Sequence, residues 1–184
     1  MGNFYAICCD SNISAVLILF NPIMPESFLY ILTFLTALGC GINAGLFFVF
    51  SNTIMTALER LRPAEGGAAM REINRVILNP VFFSVFFGTA VGSLLLIVAA
   101  SRFPAARGYL TAGGACYLVG CIVVTVTRNV PLNEALQRAD PGSPDEAALW
   151  ARYLKEWTAW NHVRTVACVL AAGLFTLALT VFSF

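Results

Sequence analysis

The sequence predicts an all-α protein: a four-helix transmembrane bundle with amphipathic, interfacial helices in its first and third loops. Two observations carry that prediction, the scarcity of charge and the places where charge does fall. Of 184 residues, 59% are hydrophobic and 11% charged, and the mean hydropathy is +0.79; an average soluble domain is about one-quarter charged. No Asp, Glu, Lys or Arg occurs from Ser27 to Leu58, Val76 to Ser101, Gly108 to Thr127 or Thr165 to Phe184, stretches of 32, 26, 20 and 20 residues. A helix crosses about 30 Å of hydrocarbon with roughly 20 apolar residues, so each stretch can span. A soluble enzyme and a secreted disulfide module are excluded. A net charge of +1 and a pI near 7.6 leave no basic surface for nucleic acid.

The spans read as Phe28–Phe50, Pro80–Ala100, Tyr109–Thr127 and Val163–Phe184 within a domain covering residues 24–184. Lipid supplies no hydrogen bonds, so the backbone must be satisfied inside each span, and the alternation of a barrel strand is absent. Upstream, Met1–Ile23 reads as a flexible extension or an over-long start. Its apolar run, Ile13–Phe20, is only eight residues long, too short to cross, and Met1–Asn12 has no basic residue for a secretory signal. Asn12-Ile13-Ser14 matches the glycosylation pattern.

Small residues set how the helices meet. Gly41 and Gly45 form one G-x-x-x-G, Gly88 and Gly92 another, and Ala167 and Ala171 a weaker pair; such spacing lets backbones approach closely. Packing within one bundle is the expected use, with a homo-oligomer through these glycines as the alternative. The six cysteines show no C-x-x-C or metal spacing and read as small hydrophobes.

In the first loop, Met70, Ile73 and Ile77 share one face and Arg71, Glu72 and Arg75 the other, the pattern of a helix lying along the interface. In the third loop, Pro131 ends the third span and leaves 128–133 as a turn at the membrane surface. After Pro141-Gly142, Ser143-Pro144-Asp145-Glu146 reads as a capping box that starts a helix running into the fourth span. Loops one and three carry nine basic residues, counting Arg164, and the second loop carries two, Arg102 and Arg107. That asymmetry predicts cytoplasmic loops one and three and both termini outside.

Polar residues collect at the same end. On the fourth helix Trp157, Trp160, Asn161 and Arg164 are spaced to share a face, with Trp150 and Tyr153 upstream. Asn74 and Asn79 lead into the second span, and Asn129 and Asn133 leave the third. Asn43 lies inside the first span, where an amide needs a partner; an interhelical hydrogen bond and a binding site are equally open for it. An aromatic belt with Arg164 reaching for water is the ordinary account of the tryptophans.

The run GCGINAGLFFVFSNTIMTAL, then AAMREIN, TRNVPLN and WTAWNHVRT, resembles the anthrone oxygenase-like family of small four-span membrane proteins. The resemblance covers roughly Met24 to the C-terminus. It implies a four-helix bundle with these motifs grouped, and an activity such as the oxidation of anthrones to anthraquinones performed by characterised fungal relatives.

The residue inventory limits the chemistry. His162 is the single histidine, too few for a two-His, one-carboxylate iron site, and no nucleotide fingerprint follows a strand. The expected cofactor is none and the expected metal none. A cofactor-independent monooxygenase would bind a flat aromatic or quinone-like molecule and stabilise its anion. In that reading His162, Asn161 and Arg164 are the catalytic candidates, and Trp157, Trp160, Asn133, Asn129, Asn74 and Asn43 hold the substrate. His162 follows Asn161 directly, so it points about 100° away on a helix. The alternative is a non-catalytic membrane protein that binds a small apolar molecule or serves as an accessory subunit, its asparagines bracing the bundle. The expected partners are the lipid bilayer and a small apolar aromatic ligand.

Overall fold

The computed structural model describes residues 25–182; the N-terminal segment Met1–Ile23 and its sequon lie outside the described residues. Among those described there are only helices. Four are long and apolar enough to span a membrane: α1 (Glu26–Glu59), α3 (Pro80–Arg102), α4 (Arg107–Arg138) and α5 (Pro144–Thr180). Between α1 and α3 lies α2 (Pro63–Ile77). The spanning helices pack in a ring, α1 on α3, α3 on α4, α4 on α5 and α5 back on α1, as short connections dictate for sequential neighbours. Large apolar side chains such as Ile31, Ile42, Val91, Val119, Val166 and Val169 face outward. In water that surface would be a liability; against hydrocarbon it is what a span requires. The chain is a multi-pass membrane protein.

Proline sits in the first turn of α2, α3 and α5, where its missing N–H has no intrahelical partner to lose. Asn79 caps α3 by accepting from the Phe82 amide at 3.0 Å, and Ser143 caps α5 by accepting from the Glu146 amide at 3.1 Å. The expected capping box is only half formed. Glu146 reaches past Ser143 to the Gly142 amide, 2.6 Å away, and its other oxygen pairs with Arg71 of α2. Gly142 can present that amide because it adopts φ 80°. The apolar side of α2 carries Met70, fully buried in a cluster with Leu58, Leu136, Trp150 and Tyr153. It therefore packs on the body of the protein.

Three expectations need correction. The first helix does not stop at Phe50. It passes through a π-helical stretch, Phe50–Ile54, and continues to Glu59. Nor does Pro131 end the third span, and 128–133 is no turn. The helix runs on to Arg138 through π-helical stretches Cys116–Val123 and Thr125–Asn129. Pro131 would ordinarily clash with the carbonyl four residues back. Here the Val130 amide donates to Thr125 instead of Val126, and the widened turn makes room for the ring.

The third correction concerns the glycines. Gly41, Gly45 and Gly88 have nothing within 4 Å of where a Cβ would stand, so the two G-x-x-x-G pairs do not form the packing seam. The α1–α3 contact is a reciprocal one, Gly39 against Thr89 and Gly92 against Thr36. The helices are rotated so that each glycine receives a threonine, whose hydroxyl is tied to its own helix: Thr36 to Leu32 and Thr89 to Val85, both at 2.7 Å. Ala167 does pack as a small residue, against Gly120.

Candidate functional site

α5 brings the site together. Trp150, Tyr153, Trp157, Asn161 and Arg164 recur at intervals of three or four, and all five are buried. Successive rings stack along the helix: Trp150 on Tyr153 at 5.6 Å and Tyr153 on Trp157 at 5.7 Å between centroids. Below this ladder sits Arg164, only 5% exposed. Its guanidinium lies 4.2 Å from the Phe47 ring centroid and 5.3 Å from that of Trp157. Arg164 Nη2 donates to Asn161 Oδ1 at 2.5 Å, and Nη1 donates to Thr125 Oγ1 at 3.3 Å. Asn161 in turn donates from Nδ2 to the Phe47 carbonyl at 2.6 Å and to Ser51 Oγ at 2.5 Å.

This arrangement joins α1, α4 and α5 around one cation. Among the described residues no carboxylate pairs with Arg164; the five ion pairs all lie elsewhere. Hydroxyl, amide and π faces alone hold the charge. Nor is every polar atom satisfied. Arg164 Nε, Trp157 Nε1 and Asn129 Oδ1 are buried with no hydrogen-bond partner among the described residues, whereas buried polar atoms are normally paired. Two donors and one acceptor are thus open, on Arg164 itself, on Trp157 beneath it and on Asn129, which bonds the Trp157 carbonyl. Both neighbouring helices are π-widened at this level, α1 at Ser51 and α4 at Thr125 and Asn129, and such turns recur at functional sites.

Other candidates fall into place around this centre. Asn129 donates to the Trp157 carbonyl at 3.2 Å. Asn74 donates to the Tyr153 hydroxyl at 3.4 Å, which donates to Asn133 Oδ1 at 2.7 Å. Those two asparagines meet on Tyr153, the middle rung of the ladder, and neither of them bonds Arg164. Trp150 and Trp157 are 2% and 4% exposed, so they form no belt. Trp160 diverges to a half-buried flank, where Arg128 lies over its ring at 4.7 Å. Asn43 is buried but donates to Gly39 of its own helix at 2.8 Å, a local bond where an interhelical one was equally expected.

His162 does not join the cluster. It is exposed and lines an apolar groove of about 710 Å³ between α4 and α5, with Val119, Gly120 and Val166. Arg164 faces inward, so it is not a loop charge, and the basic asymmetry becomes eight to two. Sequence reasoning missed Ser51, Thr125 and Phe47. Each lies in a charge-free stretch with no local motif to mark it. Among the described residues no three His, Cys, Asp or Glu side chains are grouped to hold a metal ion.

No curated protein matches the chain, and no solved structure does. A family model described as anthrone oxygenase matches residues 81–174, the stretch that contains Asn129, Asn133, Trp157, Trp160, Asn161, His162 and Arg164. That match covers half of the 184 residues, and the chain belongs to the anthrone oxygenase family.

Proposed function

We propose that the chain is a cofactor-independent membrane oxygenase acting on a flat, enolisable aromatic of the anthrone or quinone type. The observation that supports this reading is the buried guanidinium of Arg164, which lies over the Trp157 ring and, among the described residues, has no carboxylate partner and an Nε without a hydrogen-bond partner. An uncompensated cation in a span is costly, and an anionic ligand supplies the missing charge. Transfer of a proton from the methylene carbon to water leaves an electron pair delocalised onto the carbonyl oxygen. Arg164 and Trp157 hydrogen-bond that oxygen and hold the anion in a site of low dielectric. The anion passes an electron to O2, and the resulting radical and superoxide combine as a hydroperoxide. After protonation, the hydroperoxide loses water to give the new ketone. One O2 is consumed per substrate: one oxygen stays on carbon, the other leaves as water with the two methylene hydrogens, and no further reductant is required. His162, on the lipid-side groove, is given no part in this proton transfer.

A bracing role is the second reading. It is favoured by the amides of Asn161 and Asn129, each of which donates to a backbone carbonyl of a neighbouring helix. The two readings separate in an oxygen electrode. Purified protein in liposomes, given anthrone, should take up one O2 per anthraquinone formed, at a rate unchanged after dialysis against a chelator. Uptake no faster than with boiled protein would remove the oxygenase reading.

A further inference from the structure

An opening approaches the Arg164 centre from the charged end of the bundle. Between the last turns of α1 and the start of the apolar part of α5 lies a cleft of about 280 Å³, lined by Ser51, Met55, Thr56, Glu59, Lys155 and Thr158. Its rim is charged and exposed at Glu59 and Lys155. Ser51, the innermost lining residue of α1, is eight residues in from Glu59, and Thr158 on α5 is three in from Lys155. At 1.5 Å per residue the walls reach about 12 Å and about 5 Å below the rim. Two features make it polar at depth. Thr158 Oγ1 is buried with no hydrogen-bond partner among the described residues. Ser51 Oγ, also a lining group, accepts from Asn161 Nδ2, whose own oxygen accepts from Arg164. The hydrogen-bonded chain Ser51–Asn161–Arg164 thus leads from the wall of the cleft to the buried guanidinium.

We infer that this cleft is the aqueous port of the Arg164 centre, a water-filled passage ending on Ser51 and Thr158. Its volume holds several waters at about 30 Å³ each, and hydroxyls are present to bond them. The groove beside His162, by contrast, is apolar and opens between lipid-facing side chains. Through the port the proton released at the centre has a path to bulk solvent, and product water a polar way out. The use assigned to the port rests on the oxygenase reading; its existence does not.

Thiol accessibility tests it. A methanethiosulfonate reagent attacks only an ionised thiol, which needs water. Thr158→Cys and the lipid-facing Val166→Cys are exposed to a charged sulfonate reagent in open membrane fragments. Adducts are counted by intact mass against the unsubstituted chain. Thr158→Cys should react at least ~10-fold faster than Val166→Cys, and adding Ser51→Leu should slow it by filling the floor. Met55→Cys reads the same wall if Thr158→Cys does not fold. Equal rates at Thr158→Cys and Val166→Cys in folded protein would overturn the port. Fast labelling without anthrone turnover would keep the port and remove the oxygenase reading; turnover without labelling would do the reverse.

Discussion

Replacing Arg164 with Gln separates a binding cation from a brace, because the two roles predict opposite signs for stability. A buried arginine paired to a carboxylate is costly to remove, about 3–5 kcal/mol, since its partner is left buried and charged. Among the described residues Arg164 has no such partner. Glutamine can still donate an amide N–H to Asn161 Oδ1, so that acceptor keeps a bond. What is lost is one weaker contact to Thr125 at 3.3 Å and the cation–π contacts with Phe47 and Trp157. The cost of desolvating the charge disappears at the same time. The melting temperature of Arg164→Gln should therefore stay level or rise. Affinity for the substrate anion should fall by one charge-assisted hydrogen bond, about 1.5–3 kcal/mol, or ~10- to 150-fold in turnover at low substrate. Arg164→Lys keeps the charge but not the planar fork, and should recover only part of that loss. The measurements are thermal unfolding in detergent and anthrone-dependent oxygen uptake on the same three proteins. If Arg164→Gln unfolds at a clearly lower temperature and its activity falls only in step, the guanidinium is a brace and the reasoning fails.

Gly92→Ala should cost about 1–3 kcal/mol, because the Thr36 side chain already occupies that space. Gly41→Ala, which meets nothing, should gain about 0.5–1 kcal/mol; thermal shifts of the two variants check the sign of each. Glu146→Gln should destabilise by about 1–3 kcal/mol, since it leaves the half-buried Arg71 without its anion. Adding Arg71→Met should restore part of that loss in a double-mutant cycle. If loops one and three are cytoplasmic, cysteines at Ala64 and Asp140 will resist an impermeant thiol reagent in intact cells, and one at Ala105 will react. The reverse pattern would invert the orientation.

The spans were legible because charge is forbidden wherever lipid touches the chain, and four charge-free stretches mark four helices. The N-cap at Ser143 was legible for a similar reason, since proline after a short polar residue has few other uses. The rotation of each helix was not. Gly41, Gly45 and Gly88 have the spacing of a packing seam and yet face outward, while Gly39 and Gly92 do the packing. Sequence records which residues are small, but not which of them a partner's threonine will find. On α5 the grouping of Trp157, Asn161 and Arg164 was readable, because that helix is a regular α-helix whose inward positions recur at intervals of three or four. Their partners were not readable. Ser51, Thr125 and Phe47 contribute a hydroxyl or a carbonyl that any polar or apolar residue type might equally carry.

The π-helical stretches explain why the partners escaped and why the site exists at this level. On α1 the buried side chains Asn43, Phe47, Ser51 and Met55 follow one another at intervals of four. On α4 the series Tyr117, Cys121, Thr125 and Asn129 does the same, with three of its members buried and Thr125 half-buried. In a regular α-helix each four-residue step advances about 40° beyond a full turn, so three steps would carry the fourth residue about 120° around, out of the interior. More residues per turn cancel that drift, and the widened helices keep each series aimed at α5. The same widening accommodates Pro131 and holds Ser51, Thr125 and Asn129 level with Arg164. A strict spacing of four inside an apolar span is therefore itself a signal, and here it points to the helices that surround an unpaired cation.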